Sequence, residues 1–85
     1  MQKSFLNVQI QQSIMSTEKL HLLTEREKQV LRHIAEGNTN LQISELLSIA
    51  ENTVKTHRKN IKRKLEIVST ADLVKFAQKT GLITS

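Results

Sequence analysis

Cysteine is absent from the 85 residues and no cluster of metal-ligating residues stands in for it, so neither disulfides nor a structural zinc can hold the chain together. Stability must come from helices burying apolar faces against one another. Proline is also absent and glycine occurs twice, while Leu, Ile, Lys, Glu and Gln are plentiful, a balance that favours long unbroken helices over sheet. No apolar run approaches the roughly 20 residues that cross a bilayer. The first residues lack the charged start and apolar block of a signal peptide. The expectation is a soluble, cytoplasmic, all-α chain with a single small core, since 85 residues are too few for two.

Other absences bear on chemistry. There is no glycine-rich phosphate loop, no nucleophile with a general base at usable spacing, and too little chain to shelter a deep pocket, so no catalytic residue, cofactor or metal is expected. Thr24 and Glu27 look like a reactive pair, but helix capping alone explains their spacing. Asp72 has no partner for acid–base work.

What the chain does have is positive charge in one place. The formal net charge is +5, and residues 51–66 hold +4 of it through Lys55, Arg58, Lys59, Lys62, Arg63 and Lys64 against Glu51 and Glu66. A focused positive field suits a polyanion, either nucleic acid or an anionic membrane.

Residues 1–21 fit neither helical nor strand periodicity cleanly and read as a linker or flexible arm, with room for a short helix, or as the remnant of an upstream domain. Residues 22–85 read as the folded domain. Thr24 can cap a helix that Glu27 completes as a capping box, with Leu23, Val30, Leu31 and Ile34 on one face and Gly37 as the stop, giving a first helix over about 25–36. Thr39 or Asn40 caps a second, with Ile43, Leu46 and Leu47 as its buried stripe. Ser48-Ile49-Ala50 is a connection of helix-turn-helix length. The third helix, about 51–65, turns Val54, Ile61 and Leu65 inward, flanked by His57 and Arg58, and gathers Asn52, Lys55, Thr56, Lys59 and Arg63 on the opposite side. Ser69 opens a fourth helix through Leu73, Val74, Phe76 and Ala77 to a stop at Gly81, with Leu82 and Ile83 folding back on the core. Its wide apolar stripe leaves Val74 and Gln78 as a face for a homodimer.

The major groove of B-form DNA admits one α-helix, read by side chains in the helix's N-terminal half. Asn52, Lys55, Thr56 and Lys59 occupy that half. Lysine donates to guanine O6 and N7, and a threonine methyl can touch the methyl of thymine. Lys62, Arg63 and Lys64 lie where a departing helix passes a phosphate strand and should add affinity without sequence choice. A lysine-rich face is often mere solvated surface, yet here nearly all charges share one sign and the helix follows a short partner across a three-residue turn. His57 reads as a packed residue. Arg58 reads as a seam cation whose stem lies on the core and whose head points to phosphate.

Leu23-Thr24-Glu25-Arg26-Glu27, Val30-Leu31, Ile34-Ala35-Glu36-Gly37, Asn40, Ile43, Leu47, Ile49, Glu51-Asn52-Thr53-Val54-Lys55-Thr56-His57, Asn60-Ile61 and Lys64-Leu65 occur in order. Over about residues 22–83 the chain resembles the C-terminal DNA-binding domain of the LuxR/FixJ/NarL family of bacterial transcription regulators. The resemblance implies a four-helix (tetrahelical) helix-turn-helix domain acting as the output domain of a response regulator. It implies base contacts at Lys55, Thr56 and Lys59, phosphate contacts at Thr39, Asn40 and Thr53, and a two-fold dimer on DNA through the fourth helix. Double-stranded DNA is the expected partner, and RNA polymerase a further one.

The chain departs from the family pattern at several places. Ala50 stands where Ser usually caps the recognition helix, and Glu66 where Gly often follows Leu65, which strains Glu66 if that site needs positive φ. Ser44 replaces a common Ala. Leu41 replaces a common Lys or Glu and leaves an apolar group beside the phosphate-facing end of the second helix. Two other readings compete: a sigma-factor promoter-recognition region, which shares the capped first helix and contacts polymerase as well as DNA, and a basic amphipathic helix on an acidic membrane. The latter wants bulky anchors, and neither of the two phenylalanines lies in the third helix.

Overall fold

The computed structural model describes residues 18–83, so most of the arm expected at 1–21 lies outside the described residues. Every regular element among them is helical. After a short helical stretch at 18–20 come α1 (Glu25–Ala35), α2 (Asn40–Leu47), α3 (Glu51–Leu65) and α4 (Thr70–Lys79). Helix α1 is the hub, packing against α3 and α4 and more lightly on α2, while α2 and α3 pack on each other.

The helix starts follow from side-chain chemistry. Thr24 accepts from the Glu27 backbone N–H at 3.1 Å while Glu27 Oε1 accepts from the Thr24 backbone N–H at 2.9 Å, a complete capping box. Thr39 and Gln42 repeat it for α2 at 3.2 and 2.8 Å. Ser69 accepts from the Asp72 N–H at 3.1 Å, the one-way version. Ala50 supplies no cap hydrogen bond to α3. We therefore expect Ala50→Ser to stabilise the domain by about 1 kcal/mol, read as a higher urea midpoint at unchanged slope; an unchanged midpoint would show that the first turn of α3 needs no acceptor.

All four helices end in one way. The N–H groups after the helix reach back to carbonyls three and five residues earlier: Gly37 to Ile34 and Asn38 to His33, Ser48 to Glu45 and Ile49 to Ser44, Glu66 to Arg63 and Ile67 to Lys62, Gly81 to Gln78 and Leu82 to Ala77. The motif needs one left-handed residue, at φ 91° in Gly37 and 76° in Gly81, but at 55° in Ser48 and 57° in Glu66, which carry a Cβ there. Each of these two costs about 1 kcal/mol relative to glycine. The strain foreseen for Glu66 is thus present. In return the following Ile49 and Ile67 are turned onto the core, as is Leu82.

Leu23, Val30, Leu31, Ile34, Ile43, Val54, Ile61, Leu65, Leu73, Phe76 and Ala77 form that core. One expected member fails. Leu46 is 58% exposed, and the place beside Ile43 goes to Ser44, whose hydroxyl donates to the Leu41 carbonyl at 2.6 Å. At about 100° per residue the buried arc of α2 runs from Ile43 through Leu47 and Asn40 to Ser44, and Leu46 falls about 60° off its other side. A helix of eight residues touching the core along so narrow an arc leaves Leu41, at 54% exposure, and Leu46 outside.

Candidate nucleic-acid interface

Helix α3 combines a buried side that fixes it to the domain with a polar side that no described residue covers. Val54, Ile61 and Leu65 are buried, whereas Asn52, Thr53, Lys55, Thr56, Lys59 and Arg63 are all exposed and His57, Arg58 and Lys62 half-buried. Glu51 in the first turn and Lys62, Arg63 and Lys64 in the last also complement the helix dipole, so part of this charge pattern stabilises the helix itself. Among the described residues, Lys55, Lys59, Lys62 and Arg63 make no ion pair within 4 Å, although Glu51 lies four residues before Lys55. Their charge is turned to solvent without local neutralisation.

Hydrogen bonding within the site decides what remains for a partner. Thr56 donates its hydroxyl proton to the Asn52 carbonyl at 3.0 Å, which leaves its methyl and oxygen lone pairs. Thr39 Oγ1 accepts from Gln42, so its proton stays free to donate to an anion. Asn40 is half-buried, and its buried Oδ1 meets no donor among the described residues. Arg58 reaches across to α4 and donates from Nη2 to the Thr70 hydroxyl at 3.0 Å, tying the middle of α3 to the start of α4.

Lys64 requires a correction. Sequence position put it with Lys62 and Arg63 on a phosphate strand, but its ammonium lies 2.7 Å from Glu27 Oε1 in α1. The Glu27 side chain is only 4% exposed, and a carboxylate so deeply placed draws in the nearest cation. Burial alone would raise the Glu27 pKa; the hydrogen bond from Lys64, the Thr24 backbone N–H and the Lys64 charge together outweigh it and hold the carboxyl below its ordinary value. The sequence signals the Glu27 half of this pair. Glu27 sits four residues after Leu23 and four before Leu31, on the apolar stripe itself, where a carboxylate needs a buried partner.

A capped hub helix, a short second helix, a three-residue turn and an outward basic face on the third agree with comparison to known proteins. Residues 21–77 match the family of bacterial regulatory proteins, luxR family. The chain belongs to this family. As a luxR-family domain it is a DNA-binding module of transcription regulation. It is 44% identical over 62 residues to the uncharacterized response regulatory protein YgeK of Escherichia coli (strain K12), covering 73% of this chain and 42% of that one. Identity is 46% over 65 residues to the uncharacterized transcriptional regulatory protein YhcZ of Bacillus subtilis (strain 168), with 76% and 30% covered. It is again 46%, over 61 residues, to the nitrate/nitrite response regulator protein NarP of E. coli (strain K12), with 71% and 28% covered. The chain thus spans less than half the length of these relatives. No described helix of the luxR-family domain is long and apolar enough to cross a membrane.

Proposed function

We propose that residues 22–85, following an arm at 1–21, form the output domain of a cytoplasmic response regulator that reads an operator with the outward face of α3, from its first turn to just past its middle. Asn52, Lys55, Thr56 and Lys59 meet base edges in the major groove. Thr39, Asn40, Thr53, Arg58, Lys62 and Arg63 hold phosphates on either side. The observation that carries this reading is the coherent exposure of the four base-reading side chains on a helix whose other side is locked in the core. A merely solvated face would be expected to mix signs and pair them, and here the exposed cations of α3 form no ion pair among the described residues. Three of the phosphate-facing side chains differ in what they can donate. Thr39 offers a free hydroxyl proton, Arg58 keeps further N–H donors beyond the one given to Thr70, and half-buried Asn40 can reach a phosphate only from the edge of α2.

Selection of bound sequences from a random duplex pool at near-physiological salt tests the proposal. A conserved half-site should be enriched; a pool that stays random would leave only charge-driven binding.

The same proposal places a two-fold contact at α4, where Val74 is half-buried and Gln78 exposed. Two copies joined there would read half-sites about one helical turn apart. Val74→Glu should then abolish cooperative occupancy of paired half-sites while circular dichroism shows the monomer still folded. Unchanged cooperativity in a folded variant excludes α4 as the dimer face.

A further inference from the structure

One carboxylate oxygen joins parts of the fold that lie 37 residues apart in sequence: Glu27 Oε1 accepts from the Thr24 backbone N–H at 2.9 Å and from Lys64 Nζ at 2.7 Å. Thr24 begins α1, and Lys64 sits in the last turn of α3. We propose that Glu27 and Lys64 act as a register lock that sets the rotation of α3 about its own axis, which makes them positioning residues for base reading although neither meets DNA. The inference rests on the reading role proposed above for Asn52, Lys55, Thr56 and Lys59.

Val54, Ile61 and Leu65 hold α3 to the domain through apolar burial, which is non-directional and resists separation far more than rotation. A charge-assisted hydrogen bond is different, because its distance and angle are both narrow. Buried ion pairs in general add little net stability and are better suited to selecting one arrangement among several of similar packing. Geometry makes that selection matter at the far end of the helix. Side-chain tips stand about 5–6 Å from a helix axis, so a rotation of about 20° moves them by about 2 Å. Hydrogen bonds to base edges survive only within a window of about 0.5 Å. Flexible lysines following a phosphate strand absorb such a rotation, so losing the lock should remove sequence choice and spare charge-driven affinity. The Arg58–Thr70 bond cannot substitute. It joins half-buried Arg58 to an exposed hydroxyl on a short side chain in the first turn of α4, where solvent weakens such a bond.

The test compares the full chain with the double variant Glu27→Gln/Lys64→Met, using the enriched operator and a random duplex. Glutamine keeps both halves of the α1 capping box and methionine keeps the buried stem, so the variant should fold, while the charged bond is gone. Its preference for operator over random duplex should fall about tenfold, the equivalent of one good base contact. Random-duplex affinity and its salt slope should stay as in the parent, because Lys64 neutralises no phosphate. Lys64→Arg with Glu27 in place, which retains a cation for the carboxylate, should keep the preference. A folded double variant that discriminates as well as the parent overturns the lock, and so does a salt slope shallower by about 0.9, which would make Lys64 a phosphate contact. Should the double variant unfold, Glu27→Gln alone carries the comparison with the same expected direction. If the parent itself shows no preference, the DNA-reading proposal fails and this one with it; a discriminating parent beside an equally discriminating variant removes this one alone.

Discussion

Glu27→Ala should lower the stability of the domain by about 3 kcal/mol, at the low end of what breaking a buried ion pair costs. The substitution removes the carboxylate that Thr24 and Lys64 share, opens the capping box of the hub helix, and leaves Lys64 without its counter-charge. The low end applies because the Lys64 side chain is 26% exposed and can partly regain water. For a domain of this size the loss is a large share of the total, usually 5–15 kcal/mol, and urea denaturation would read it as a lower midpoint at the same slope. A loss under about 1 kcal/mol, the worth of a cap alone, would mean that the pair contributes nothing. The same carboxylate sets an acid limit. Its pKa in the folded domain lies below the ordinary glutamate value of 4.5, so its contribution is complete above that value and disappears as pH falls through the lower, folded one. Glu27→Ala should accordingly flatten the acid side of the stability profile.

Lys59→Ala should weaken the operator complex about tenfold or more, a loss of about 1–2 kcal/mol, and leave random-duplex binding close to that of the parent. Lys62→Ala should weaken both complexes alike and make the dependence of log K on log salt shallower by about 0.9. The contrast follows from position. Lys59 is exposed one turn after Lys55 on the outward face of α3, whereas half-buried Lys62 lies in its last turn. Competition titrations at two salt concentrations separate the outcomes, and equal losses on both duplexes for Lys59→Ala would take that residue out of the reading group.

Local rules make most of the helices legible in the sequence alone. Capping at Thr24, Thr39 and Ser69, and the turn residues at Gly37 and Gly81, place the helix ends to within a residue, because each is settled by side chains three or four positions away. The outward direction of Asn52, Lys55, Thr56 and Lys59 follows equally from the period of α3. Long-range matters were less accessible. Nothing near Lys64 announces that its charge belongs to a residue 37 positions earlier, and the Arg58–Thr70 bond likewise depends on how α4 crosses α3. Leu46 was misplaced because a short helix can bury either edge of its apolar arc, and packing on α3 chose the edge with Ser44. Ser48 at positive φ was also unforeseen, since a serine gives no local sign that the turn after α2 needs a left-handed residue.

The central claim concerns which atoms meet the operator, and NMR titration of the labelled domain with the selected duplex addresses it directly. The largest shifts should fall on Asn52, Lys55, Thr56 and Lys59, and a random duplex should shift mainly Thr39, Lys62 and Arg63. Saturated binding with the 52–59 signals unmoved, and changes gathered instead on α4 or α1, would contradict it.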